Sequence, residues 1–91
     1  MPFLEQPVRI FDTDEILNFP SGQIGVYGLF RQDECIYVGA GDIRDRILKN
    51  LDGDNTLINY YGPTQWMFET VVGDTTELKR KLIEEYHPLA N

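Results

Sequence analysis

The sequence is poor in the residues on which secreted, zinc-binding and membrane-spanning proteins depend. It holds one cysteine, Cys35, and one histidine, His87, in 91 residues. A lone cysteine excludes an internal disulfide, and no cluster of histidine and cysteine predicts a zinc site. No apolar run approaches the roughly 18 residues of a membrane span, and residues 1–5 lack the charged and apolar regions of a signal peptide. We therefore expect a cytoplasmic protein without a membrane contact.

Basic residues are also scarce. Eight lysines and arginines stand against fifteen acidic residues, so the net charge is −7. This balance opposes non-specific DNA binding, which depends on basic side chains that displace counterions from phosphates. Six of the eight basic residues nevertheless form two groups, namely Arg44, Arg46 and Lys49, and Lys79, Arg80 and Lys81. Each group falls on a predicted helix and is either solvated surface or a phosphate contact.

The pattern of apolar residues predicts one small α+β domain that spans residues 1–91. Two β-prone runs, at residues 24–30 and 35–39, flank a polar turn and predict a β-hairpin. Ile43, Ile47 and Leu51 lie at i, i+4 and i+8, which predicts a helix that packs on the sheet. Arg46 and Asn50 fall on the flank of that helix, from which both can face the hairpin.

The remaining segments complete an order of helix, strand, strand, helix, short helix, strand and helix. The short helix is expected at residues 56–61, the third strand at 65–72, and the last helix ends near residue 86. Residues 7–10 can add an edge strand. The aspartate-rich segment 52–55 departs from the EF-hand spacing, so we interpret it as a loop rather than a calcium site.

The hairpin carries two short motifs. Gly25-Val26-Tyr27 is followed, after nine residues, by Tyr37-Val38-Gly39, and Arg46 lies on the next helix. This order and spacing resembles the GIY-YIG nuclease superfamily, which includes the N-terminal nuclease domain of the bacterial-type excision-repair nuclease and the GIY-YIG homing endonucleases. The likeness extends to residues 16–20 before the first motif and to residues 82–83 and 88–91 near the end. It implies a three-stranded antiparallel sheet flanked by helices.

The resemblance also implies metal-dependent hydrolysis of DNA phosphodiester bonds. Tyr27 and Tyr37 match the tyrosines that position or deprotonate the attacking water. Arg46 matches the arginine that neutralises charge on the phosphate, for which its planar fork is well suited. A glutamate on the last helix of the family holds one divalent cation, so Mg²⁺ is the cofactor if this chain is active.

Two positions depart from the family pattern. Asn50 stands four residues after the arginine, where the family has a histidine or a tyrosine, and asparagine cannot act as a general base. Lys79 stands three residues before Leu82, where the family has its metal-binding glutamate. Helical phase places Lys79 on the inner side of the last helix. Glu69 on the third strand is no convincing substitute, so no metal ligand is predicted.

These residues leave three functions open. The favoured hypothesis is a catalytically impaired GIY-YIG-like domain that binds nucleic acid through Arg44, Lys49 and Lys79, or binds a protein. The first alternative is an active endonuclease with the catalytic residues named above. The second is a small structural or interaction domain whose tyrosines serve only in packing. The acidic charge disfavours DNA as a partner, which keeps a protein partner in consideration.

Overall fold

A computed structural model describes residues 3, 6 and 8–91 of the chain. The signal-peptide expectation for residues 1–5 and the Pro7 end of the predicted edge strand fall largely outside these residues. Along the described part of the chain, no helix has the length and apolar character needed to cross a membrane. The elements in chain order are β1 (Arg9–Ile10), α1 (Thr13–Leu17), β2 (Ile24–Arg31), β3 (Glu34–Asp42), α2 (Ile43–Leu51), α3 (Thr56–Tyr61), β4 (Gln65–Thr70) and α4 (Thr76–Tyr86).

The strands form one antiparallel sheet in the order β1-β4-β2-β3. The α+β class and the order of the elements are as predicted, but the implied count of three strands was wrong by one. The additional strand, β1, pairs Arg9 with Trp66 and Ile10 with Gln65. The Gln6 side chain extends this pairing along β4, because it donates to the Phe68 carbonyl (2.7 Å) and accepts from the Phe68 amide (3.1 Å).

The hairpin is longer than the sequence indicated. The predicted second strand ended at Gly39, but the ladder continues until Asp42 pairs with Ile24. Glycine is a poor strand former, so the run of glycines suggested an early end. Gly41 instead takes a φ of +127°, a backbone conformation that suits glycine, and continues the strand. Asp42 then caps α2, where its carboxylate accepts from the Asp45 amide (3.1 Å).

An apolar cluster lies on each face of the sheet, because the central strand β2 is buried from Gly25 to Phe30. One face is covered by α1, α2 and α3, and its buried cluster contains Ile16, Tyr27, Leu29, Ile36, Ile43, Ile47, Ile58, Trp66 and Ala90. The other face is covered by α4, and its buried cluster contains Phe3, Val26, Phe30, Cys35, Val38 and Leu82. Ile43 and Ile47 are therefore buried on the sheet as predicted.

The last residues cover the free edge of β3. The amides of Leu89 and Ala90 donate to the carbonyls of Cys35 (3.3 Å) and Ile36 (2.7 Å). The Asn91 side chain then accepts from the Val38 amide (2.7 Å) and donates to the Val38 carbonyl (2.9 Å). Asn91 thus pairs with β3 much as a further strand residue would, and it fixes the segment that carries Tyr37 and Gly39.

Candidate functional site

Tyr27 lies at the centre of the candidate site. It stands on β2, opposite Gly39 on one side and Phe68 on the other, and its side chain is completely buried. Its ring lies over Gly39, where an added Cβ would come within 2.4 Å of ring atoms. The Tyr37 ring is next to it, with ring centroids 6.2 Å apart. The two motif tyrosines therefore lie together, and Gly39 makes the room for the first of them.

Asn50 meets Tyr27 from above the sheet. It projects from α2, where it is only 2% exposed, and its Oδ1 accepts from the Tyr27 hydroxyl at 2.6 Å. Its Nδ2 donates to Asp54 Oδ1 at 3.0 Å. The helix flank that the sequence predicted thus faces the tyrosines, and a carboxylate that the sequence did not suggest completes the chain of hydrogen bonds.

The electrostatics of Tyr27 show which groups surround its hydroxyl. Burial raises the pKa of Tyr27 far above its ordinary value, and the neighbouring Tyr37 raises it further. Arg46 lowers this pKa through its charge and through hydrogen bonding, whereas the Asp54 charge raises it. Tyr27, Tyr37 and Arg46, predicted to converge, therefore lie together with Asn50 and Asp54. The buried hydroxyl stays protonated at neutral pH.

Comparison with solved structures gives a consistent result. The magnesium-bound GIY-YIG N-terminal endonuclease domain of UvrC from Thermotoga maritima matches with a TM-score of 0.72 and 18% identity, over 88% of this chain and 99% of that chain. A tyrosine-to-phenylalanine point mutant of that domain, bound to its catalytic divalent cation, gives 0.71 and 18%, over 88% and 98%. No family model and no curated protein matches the chain. The chain has the GIY-YIG nuclease fold. The sequence resemblance is thereby confirmed at the level of fold.

Within the GIY-YIG fold, the three predicted nucleic-acid contacts lie apart from one another. Lys49 forms an exposed ion pair with Asp45 (3.5 Å), one turn away on α2. Arg44 is half-buried beside a groove that Asp42, Asp45 and Leu48 also line. Lys79 is half-buried on α4. A role in binding nucleic acid stays a prediction for all three residues.

Lys79 belongs to a helix that covers the face of the sheet opposite the Tyr27 ring. Leu82 is buried in the α4 cluster, and Leu78 and Ile83 pack against it. Because α4 packs mainly against the edge strand β3, a side chain at position 79 approaches the site only around that edge. Helical phase correctly gave the inner side of α4, but that side faces the second cluster.

The donor groups do not fit a divalent cation. In residues 3, 6 and 8–91, no three histidine, cysteine, aspartate or glutamate side chains lie close enough together to hold a metal ion. Asp54 brings one carboxylate to the site, but Arg46 brings a positive charge to the same hydroxyl. A protonated lysine at position 79 offers no lone pair to a metal. One carboxylate beside a guanidinium is a poor cage for Mg²⁺, which needs several oxygen ligands.

A separate cleft of about 720 Å³ lies at the hairpin turn, with Arg31, Glu34, Tyr61 and Tyr86 among its lining residues. None of Tyr27, Tyr37 and Arg46 lines it. Its acidic and basic side chains oppose each other, so its charge selects no ligand class. The convergence of charged and tyrosine side chains around Arg46 therefore identifies the candidate site better than cavity size does.

Asp54 is the site residue that sequence reasoning missed. It lies four residues after Asn50 and eight after Arg46, and this spacing would place all three on one flank if the helix continued. The helix ends at Leu51, however, and Gly53 takes a φ of +89° in the turn that follows. This turn brings Asp54 back toward Asn50, so only the tertiary structure shows the contact.

Proposed function

We propose that this chain is a GIY-YIG-fold domain in which phosphodiester hydrolysis is impaired and the Arg46 site binds the phosphates of a nucleic acid. One observation carries the proposal: the buried Tyr27 hydroxyl donates to Asn50 at 2.6 Å. A proton held in this bond, on a hydroxyl with a raised pKa, is poorly placed to help deprotonate a water. Neither Tyr27 nor Asn50 is then a general base at neutral pH.

The lack of a suitable metal site among the described residues points the same way. The matching UvrC domain is an endonuclease domain bound to a catalytic magnesium ion. A cation in such a site stabilises the leaving oxygen and activates the nucleophile. Here Lys79 occupies the position that the resemblance assigns to the metal-binding glutamate. Its charge opposes a cation nearby and attracts a phosphate instead.

Arg46 supplies the phosphate contact. It forms no ion pair within 4 Å with a carboxylate of the described residues, so its guanidinium is available to a ligand. Arginine binds phosphate through paired N–H groups, and such charged hydrogen bonds are among the stronger ones in proteins. The net charge of −7 limits the total affinity. We therefore expect weak binding that weakens further as salt rises.

Binding of fluorescently labelled single-stranded and duplex DNA, followed by anisotropy at low and physiological salt, tests this proposal. Arg46→Ala removes the proposed contact and should lower affinity about tenfold or more, as expected for a charged hydrogen bond to phosphate. Arg80→Ala is the matched control, since Arg80 is exposed and already paired with Glu77 and Glu84 (both 2.6 Å). Binding that is insensitive to salt and to Arg46→Ala would contradict the proposal.

A protein partner is the second candidate, and the surface of α3 favours it. Leu57 is 52% exposed and Tyr60 is 80% exposed, and tyrosine is enriched in protein interfaces. The acidic net charge suits a basic partner. If neither oligonucleotide binds at low salt, the α3 surface becomes the better candidate. The buried Cys35 further supports our proposal that the protein works in a reducing compartment, the cytoplasm.

A further inference from the structure

The hydrogen bonds that link Asp54, Asn50 and Tyr27 can be arranged in only one direction. An ionised carboxylate only accepts, so the Asn50 amide must present its N–H₂ group to Asp54. The Asn50 carbonyl oxygen then faces Tyr27 and, because it also only accepts, the Tyr27 hydroxyl must donate. Asp54 thus determines the orientation of both groups, although it does not touch Tyr27 through a hydrogen bond of its own.

The turn after α2 holds Asp54 in place for this task. The Asp54 amide donates to the Lys49 carbonyl (3.3 Å), and the Gly53 amide donates to the Asn50 carbonyl (3.2 Å). These bonds fold the chain back over the last turn of α2. The carboxylate is therefore positioned by its own backbone, while the residue as a whole remains exposed to solvent.

We propose that Asp54 is a positioning residue of the Arg46 site: through Asn50 it commits the Tyr27 hydroxyl proton to α2, so that Tyr27 meets Arg46 and any ligand only as an acceptor. The Tyr27 oxygen keeps a lone pair for the Arg46 guanidinium, which donates only. The hydroxyl then helps to orient Arg46 and cannot itself donate to a phosphate.

Asp54 has a second effect, which rests on the proposed phosphate-binding function. Its negative charge acts on the same hydroxyl as the positive charge of Arg46. A carboxylate in this place opposes the arrival of a phosphate. Removing one unit charge at about 10 Å, with an effective dielectric constant of about 50, should raise affinity about threefold.

Three variants separate these two effects. Asp54→Ala removes both the acceptor and the charge. Asp54→Asn keeps an acceptor for Asn50 but removes the charge. Asp52→Asn removes a charge from the exposed C-cap of α2, two residues away, and is the control for net charge.

Proton NMR of the full chain tests the positioning role without a ligand. We expect the Asn50 side-chain amide and the Tyr27 hydroxyl to exchange slowly in the wild type, in Asp54→Asn and in Asp52→Asn. In Asp54→Ala, exchange of the Asn50 amide should accelerate about tenfold or more while the backbone spectrum remains that of the folded chain. Unchanged exchange of the Asn50 amide in folded Asp54→Ala would overturn the positioning role.

Anisotropy with the labelled single-stranded oligonucleotide tests the charge effect. Asp54→Asn should bind about threefold more tightly than the wild type, and Asp52→Asn should change less. Equal affinities for Asp54→Asn and Asp52→Asn would overturn a local charge effect. If the wild type does not bind at all, the phosphate-binding function fails, while the NMR result still decides whether Asp54 positions Asn50.

Discussion

The Tyr27 ring lies over Gly39 on the neighbouring strand. A methyl group at Gly39 would come within 2.4 Å of the ring carbon Cζ and of the hydroxyl oxygen. The residues are paired in the β2–β3 ladder, so the glycine of the second motif serves the tyrosine of the first. This contact explains in physical terms why the two motifs belong together.

Gly39→Ala should displace the Tyr27 ring and break its hydrogen bond to Asn50. We expect the free energy of unfolding to fall by about 1–3 kcal/mol, the usual cost of overpacking a buried position. Urea unfolding measures this loss. In a Tyr27→Leu background the ring is absent, so the same glycine substitution should cost much less; an equal cost in both backgrounds would contradict the contact.

Tyr27→Phe should leave Asn50 Oδ1 buried without a donor. Such a group costs about 1–3 kcal/mol, which we expect as a loss in the free energy of unfolding. Adding Asn50→Leu removes the orphaned acceptor and should recover part of the loss. Tyr60→Phe, at a side chain that is 80% exposed, is the control and should change stability by less than about 0.5 kcal/mol. A neutral Tyr27→Phe would argue against the hydrogen bond.

Cys35 should make stability fall as the pH becomes alkaline. Burial raises the pKa of the Cys35 thiol from 9.0 to about 12. The folded state therefore holds the proton more tightly, so the stabilisation is complete below pH 9.0 and is lost as the pH rises toward 12. Between about pH 9 and pH 10, below the range where tyrosine titrates, this thiol should contribute a slope of up to about 1.4 kcal/mol per pH unit.

Urea unfolding across this pH range, for wild type and Cys35→Ala, measures that slope. The variant lacks the thiol, so its stability should fall less steeply even if its starting stability is lower. The thiol should also react slowly with labelling reagents in the native state, because Cys35 is only 4% exposed. Parallel slopes in the two proteins would rule out the titration of Cys35 as the cause.

Local patterns predicted much of the site. The hairpin motifs placed Tyr27 and Tyr37 on adjacent strands, since strand pairing follows from apolar alternation and a polar turn. The i, i+4 spacing placed Arg46 and Asn50 on one flank of α2, because the apolar stripe fixes the rotation of that helix. These inferences depend on short-range geometry, which the sequence expresses directly.

What the sequence could not express depends on contacts between distant segments. Strand β1 contains two residues and is extended by the side chain of Gln6, a contact without a residue pattern of its own. The position of Asp54 depends on a turn at Gly53 after the helix has ended. Helical phase gave the buried side of α4, yet it could not tell which face of the sheet that side covers. The placement of Lys79 relative to Arg46 was therefore beyond reach.

Lys79→Glu should create or strengthen a site for a divalent cation. The substitution replaces a positive charge by a carboxylate, a suitable hard ligand for Mg²⁺, at the position that the resemblance assigns to the family's glutamate. Calorimetric titration with MgCl₂ should show stronger binding in Lys79→Glu than in the wild type. Equal and negligible binding in both proteins would mean that residue 79 does not face the site.

Nicking of supercoiled plasmid DNA in the presence of Mg²⁺ tests the central claim most directly. Wild type, Lys79→Glu, Arg46→Ala and the double variant of Lys79→Glu with Arg46→Ala are compared at equal concentration. We predict little or no nicking by the wild type, because its site lacks both a cation ligand at position 79 and a general base at Tyr27 or Asn50. Any activity gained by Lys79→Glu should disappear in the double variant. Robust, Mg²⁺-dependent nicking by the wild type that Arg46→Ala abolishes would show that the site is an active nuclease and would contradict the proposed impairment.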